Sequence, residues 1–120
     1  MLYKNHSDYT GEWHWPNFTA EELSCKHCGE YYHDYDSLDM LQKAREAAGK
    51  GFIITSAHRC IEHNKAVGGS PNSEHLRIAF DISTQNHDRE DLLKALYDAG
   101  FTTFGFYNTF VHTDIRPCGS

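Results

Sequence analysis

Residues 56–81, SAHRCIEHNKAVGGSPNSEHLRIAFD, constrain this chain more than any other stretch. They are entered from Phe52-Ile-Ile-Thr-Ser56, a short apolar run rich in β-branched residues that reads as a buried strand. Residues 60–67 then read as a short helix stopped by Gly68-Gly69, and the SPNS segment that follows is turn-prone. In residues 78–82 the pattern changes to period two, with Ile78, Phe80 and Ile82 on one strand face and Ala79 and Asp81 on the other. A strand, a short helix, a loop and a second strand therefore follow one another through residues 52–82. Two side chains that can ligate a metal fall at the end of this stretch, His75 in the loop and Asp81 on the strand.

The flanking sequence supplies the rest of a small α+β domain. Residues 1–17 are aromatic and irregular, and Trp13, Trp15 and Pro16 suit an arm packed over a domain of residues 18–120. Thr19-Ala-Glu-Glu22 is a capping box and predicts a short helix to about Ser24, followed by a loop over 25–35. From Asp36 the spacing is amphipathic: Leu38, Leu41 and Ala44 or Ala48 form the apolar stripe, Asp36 or Ser37 caps it and Gly49 ends it. A second amphipathic helix spans 88–99, with Leu92, Leu93, Leu96 and Tyr97 inward and Gly100 as its stop. Residues 104–107 and 110–115 read as strands joined by a tight hairpin at Asn108-Thr109. On the second of them Phe110, His112 and Asp114 share one face. The expectation is a small antiparallel or mixed sheet flanked by helices.

Charge and composition exclude several classes of function. A net charge of −6 with 11 Lys plus Arg leaves no basic cluster to neutralise phosphates, so no nucleic-acid partner is expected. No run approaches the roughly 20 apolar residues of a membrane span, and the N-terminus lacks a signal-peptide core. Synthesis in a cytoplasm, without membrane insertion, follows as the expectation. Of the four cysteines, Cys25-Lys-His-Cys28 has the spacing of half a structural zinc site, with no second half at the usual distance. A cluster with Cys60, buried free thiols and a redox pair are the readings it allows, and whether Cys25, Cys28, Cys60 and Cys118 are free, paired or metal-bound stays open at this point.

A catalytic zinc takes three protein ligands of the His, Asp or Glu kind and leaves a position for water. His75, Asp81 and His112 meet that count with an imidazole-carboxylate-imidazole set, and the absence of HExxH excludes a helix-borne zincin site. Asp114, beside His112, is the neighbouring carboxylate for the role of proton acceptor. Spacing alone favours a loop hydrogen bond between His75 and Asp81 over a metal site, and it also allows a surface pair of His112 with Asp114.

The order of motifs decides between these readings, because it resembles the D-alanyl-D-alanine carboxypeptidase group of zinc peptidases. That group includes phage endolysin peptidases and vancomycin-resistance dipeptidases and shares its fold with the hedgehog signalling domain. The resemblance runs from Phe18-Thr-Ala-Glu-Glu-Leu-Ser-Cys25 through Leu41-Gln-Lys-Ala-Arg45-Glu and Ile54-Thr-Ser-Ala-His-Arg59. It is sharpest at His63-Asn64-Lys-Ala-Val-Gly-Gly69, Ser73-Glu-His75 and Ala79-Phe-Asp81, and ends with Gly105-Phe-Tyr107 and Val111-His-Thr-Asp114-Ile-Arg116. The minimal phage- and prophage-associated branch is the most similar.

The resemblance implies that His75, Asp81 and His112 bind Zn2+ and that Arg59 clamps a substrate carboxylate with its fork of donors. It implies that Ser73 hydrogen-bonds the substrate peptide or orients the loop. The implied substrate is a peptidoglycan stem peptide, cut next to D-Ala or between L-Ala and D-Glu, and the implied enzyme is a monomeric lysis peptidase that reaches the cell wall after release. A non-catalytic zinc-containing module of the same fold, binding cell-wall or other peptides, is the alternative.

Three departures from the family's pattern bear on this. The segment between His75 and Asp81 is one residue shorter than in S-x-H-x-x-G-x-A-x-D, so the loop before the strand must absorb the loss if Asp81 is to keep its face. Thr109 stands where some branches have an acidic residue, three positions before the last His ligand, which leaves Asp114 as base, as ligand or as a group that orients His112. His58 replaces an aromatic before Arg59 and either lines the pocket as a donor or packs.

Overall fold

The structure, a computed structural model, describes residues 1–115; Arg116, Cys118 and the remainder of the expected 18–120 domain lie outside the described residues. In chain order the elements are β1 (Leu2–Tyr3), β2 (Tyr31–Tyr32), α1 (Tyr35–Ala48), β3 (Ile54–Ser56), α2 (Ile61–Ala66), β4 (Phe80–Ser83), α3 (Arg89–Ala99), β5 (Thr103–Phe106) and β6 (Phe110–Asp114). Four strands form one sheet in the order β3-β4-β6-β5, and β1 with β2 forms a second. Every pairing is antiparallel, which resolves the expected antiparallel or mixed sheet to the former.

The two long helices form where their caps and apolar stripes place them. Asp34, in extended backbone, accepts the Ser37 amide at 3.2 Å, and so α1 begins slightly earlier than a cap at Asp36 or Ser37 predicts. Gly49 ends it at φ 67°, a left-handed conformation open to glycine without a Cβ penalty. Leu38, Leu41 and Ala44 are fully buried, and truncating either leucine to alanine would cost about 2–5 kcal/mol. In α3, Asp88 accepts the amides of Glu90 and Asp91, and Leu92, Ala95 and Leu96 are buried. Tyr97, expected inward, is 69% exposed; Ala95 takes the inward position because 92, 95, 96 and 99 make the stripe at helical spacing.

The capping box at Thr19 is real, but the helix it announces does not form. Glu22 reaches back to the Thr19 amide at 2.8 Å and Thr19 accepts the Glu22 amide at 3.1 Å. The chain makes only turns through residue 24, since the Cys25 amide turns to the Glu30 carbonyl at 2.7 Å instead of continuing a helical ladder.

Period-two alternation divides the larger sheet into two functional faces. Phe80, Ile82 and Val111 join Leu38, Leu41, Leu92 and Leu96 in one apolar core, with α1 packed on α3. Asp81 and His112 therefore point to the opposite face. At the N-terminus Leu2 pairs with Tyr32 and Tyr3 with Tyr31, while Trp15 and Phe18 enter the core. Tyr3, Tyr9, Trp13, Tyr31 and His33 build an aromatic layer around that small sheet. Among the described residues no helix is long and apolar enough to cross a membrane.

Candidate metal centre

Strand register brings the first two polar groups together. Asp81 of β4 and His112 of β6 are direct cross-strand partners, a relation that sets their Cβ atoms about 4.5–5.5 Å apart. His75 comes from a 3-10 turn, Glu74–Leu76, where the Ser73 hydroxyl accepts the His75 amide at 3.2 Å. The His75 carbonyl in turn accepts the Arg59 amide at 2.7 Å, which ties this turn to the chain leaving β3. The missing residue between His75 and Asp81 is absorbed here: Arg77 adopts φ −110°, ψ −99° between turn and strand, and Asp81 keeps the face opposite Phe80 and Ile82.

The result is a converging set of donors. His75 Nε2 lies 3.1 Å from Asp81 Oδ1, His112 Nδ1 lies 2.9 Å from the same oxygen, and the two ring nitrogens are 3.2 Å apart. A tetrahedral zinc with bonds of about 2.0–2.1 Å spans edges of about 3.3 Å, so the three atoms fit the ion with little movement. The outer nitrogens are fixed as well. A carbonyl can only accept, so the 2.6 Å contact of His75 Nδ1 with the Ala57 carbonyl puts the proton on Nδ1 and leaves the Nε2 lone pair for a metal. On the other ring, Asp114 Oδ2 sits 2.8 Å from His112 Nε2.

The electrostatics of the metal-free centre follow from that geometry. Burial disfavours a charged His112, but the bonds to Asp114 and Asp81 outweigh it and raise its pKa to about 9. Burial likewise disfavours the Asp81 carboxylate, but His112 and His75 hold its pKa down at about 2. The metal-free centre thus favours a charged His112 between two carboxylates, and a metal held by His75, Asp81 and His112 would take the place of the Nδ1 proton.

Two sequence expectations change at this point. Asp114, read as base, as ligand or as a group that orients His112, is 1% exposed and lies behind His112 with Oδ2 on Nε2, the position of an orienting group. His58, weighed as a pocket donor or a packed side chain, is packed: it is 2% exposed, with Nε2 2.7 Å from Glu30 and Nδ1 on the Arg77 carbonyl.

Arg59 stands at the edge of the centre, its Nη2 3.7 Å from Asp81 Oδ2. Its Nη1 donates to Asn64 Oδ1 at 2.9 Å and its Nε to Ser56 Oγ at 3.3 Å, and it lines a cavity of about 470 Å3 with Leu2, Cys28, Glu30 and Leu76. The role of Asn64 is not evident from residue type alone. It is 3% exposed, and it also donates to the Ser70 carbonyl at 2.8 Å, bracing α2 against the following loop. Gly69 is required for this contact, because a Cβ there would lie 2.2 Å from Asn64 Oδ1 and 3.0 Å from Arg59 Nη1. Glycine beside a buried amide is the signal by which the sequence could have revealed the pair.

Among curated proteins and among solved structures, none matches the chain. A family model described as Peptidase M15 matches residues 16–114, a span that contains His75, Asp81, His112, Asp114, Arg59 and Asn64. With four-fifths of its length inside that match and a zinc-compatible donor set at its centre, the chain belongs to the peptidase M15 family of zinc-dependent metallopeptidases.

Proposed function

We propose that this protein is a zinc-dependent peptidase that hydrolyses peptide bonds in peptidoglycan stem peptides, as a D-Ala-D-Ala carboxypeptidase or an endopeptidase. In this reading it is a monomeric phage or prophage lysis enzyme, made in the cytoplasm and acting on the wall after release. The observation that carries the reading is the convergence of His75 Nε2, Asp81 Oδ1 and His112 Nδ1 in a chain that matches peptidase M15.

Zn2+ held by these three residues supplies a Lewis acid that acidifies water and polarises a carbonyl. The surrounding residues do the rest. Ala57 and Asp114 hold the outer ring protons of His75 and His112, fixing both imidazoles with a lone pair inward. Arg59, braced by Asn64, presents positive charge beside the centre for a substrate carboxylate. The Ser73 hydroxyl accepts the His75 amide, which leaves its own proton for the substrate backbone.

The test is digestion of purified peptidoglycan with mass analysis of the products, with chelator and zinc add-back as controls. A new amine at D-Ala, or at the L-Ala–D-Glu bond, that disappears with chelator and returns with zinc is the expected result. The alternative, a zinc-containing binding module, is favoured by one observation: Asp114 is committed to His112, and Thr109 offers no carboxylate. Zinc lost in His75→Ala, with no product from the zinc-loaded wild type, would select the module. Absence of zinc from the His75 centre at neutral pH would contradict both.

A further inference from the structure

A second group of metal-ligating side chains lies away from the His75 centre and takes no part in the proposed reaction. The ligand atoms of Cys25, Cys28 and Cys60 all lie within 4.8 Å of one another, although Cys60 is over thirty residues from the other two in sequence. A tetrahedral zinc with sulfur bonds of about 2.3 Å has edges of about 3.8 Å, so the thiols are on the scale of one coordination sphere. None of the three is in a disulfide.

The local backbone is shaped for sulfur ligands. Gly29 adopts φ 82° directly after the C-x-x-C, and its amide bonds the Cys25 carbonyl at 2.9 Å, closing a tight turn. The His63 amide donates to Cys60 Sγ at 3.3 Å, where Cys60 caps α2. One further donor is near: His27 Nδ1 is 3.8 Å from Cys60 Sγ but lies outside the mutual 4.8 Å set of the three thiols, so its ring, which stacks on His63 at 5.8 Å and 5°, must turn toward Cys25 and Cys28 to complete a coordination sphere.

We propose that Cys25, Cys28, Cys60 and His27 form a structural zinc site of the closed Cys3His kind. Among the described residues three thiols meet here, and a disulfide between any two of them would leave the third without a sulfur partner in the cluster, whereas one metal ion engages all three. The site joins the loop after the Thr19 turn to the start of α2, and its Cys60 ligand directly follows Arg59. Zinc here fixes the backbone that presents Arg59, while the closed ligand set leaves no position for water. Because thiolates are the ligands, binding releases protons and couples to local folding. The inference does not depend on the role given to the His75 centre.

The test is metal content together with cobalt spectroscopy on the full chain, purified under reducing conditions. The wild type should hold about two equivalents of zinc, one for each centre. Cys28→Ser should lose one, and His75→Ala should lose the other. Cobalt-loaded wild type and His75→Ala should both show thiolate-to-cobalt charge-transfer absorption in the near ultraviolet, and Cys28→Ser should lack it. Cys28 is exposed, so its substitution should disturb folding least, and Cys28→His should retain the metal with weaker charge-transfer absorption. Cys118→Ser should leave the spectrum unchanged. A Cys28→Ser protein with both metals, or a wild type without sulfur–cobalt absorption, would each overturn the proposal.

Discussion

The His75 centre and the Cys25 cluster are built in opposite ways. The first is non-local: a loop turn and two strands deliver one ligand each, and only the β4–β6 register makes Asp81 and His112 neighbours. Its histidines are held from behind by Ala57 and Asp114. The second takes two of its thiols from a four-residue turn and one from a helix cap. The difference separates chemistry from architecture. Imidazoles and a carboxylate leave an open position and a net positive charge on a bound zinc, whereas three thiolates with a fourth ligand from His27 would give it a net negative charge and fill its coordination.

Removing a ligand from the first centre should have the largest effect and should separate the two regions most sharply. His75→Ala is expected to reduce amine release from peptidoglycan to background while the chain still unfolds cooperatively, because the helices and the sulfur cluster are untouched. Residual activity near that of the wild type would merge the two regions' roles. Asp114→Asn comes next. With its imidazole less firmly held, the centre should lose about 10–100-fold in zinc affinity, measured by competition with a chromogenic chelator. An unchanged affinity would remove Asp114 from the set of orienting groups.

Gly69→Ala probes the bridge between the regions, since Arg59 adjoins both. The added methyl meets Asn64 and Arg59, so a cost of about 1–3 kcal/mol in denaturant unfolding is expected, together with a raised KM and zinc content unchanged. Wild-type stability and KM in this variant would show that the Arg59–Asn64 contact has no function.

The smallest effect concerns pH in the metal-free protein. The His112 pKa is raised to about 9, so its contribution is fully present below the ordinary value of about 6.5 and is lost as pH rises through about 9. The Asp81 pKa is lowered to about 2, so its contribution is present above about 4 and is lost as pH falls through about 2. Thermal unfolding of the chelated protein should therefore show higher stability between about pH 4 and 6.5 than at pH 10, a difference that His112→Ala diminishes.

Helices and strand faces were legible in the sequence because they depend on local spacing and caps. Asp88, Gly49 and Gly100 mark helix ends through atoms within a few residues, and the placement of Asp81 opposite Phe80 and Ile82 needs only period two. Sequence alone did not show that the Thr19 capping box would stop at a turn, because the competing partner of the Cys25 amide is the distant Glu30 carbonyl. Nor did it show which nitrogen of His112 faces the metal. Asp114 shares the strand face of His112, but only the cross-strand position of Asp81 turns Nδ1 inward and leaves Nε2 for Asp114. His58 was equally undetermined, since burial depends on Glu30, which the loop after Cys28 brings underneath it.

The most direct test is zinc add-back to the chelated wild type, His112→Ala and Cys28→Ser proteins, with amine release from peptidoglycan as the readout. The structure predicts recovery of activity in the wild type, recovery with a raised KM in folded Cys28→Ser, whose Arg59 is less firmly held, and none in His112→Ala at any zinc concentration. Recovery in His112→Ala, or activity in the wild type that survives complete metal removal, would contradict a peptidase built on His75, Asp81 and His112.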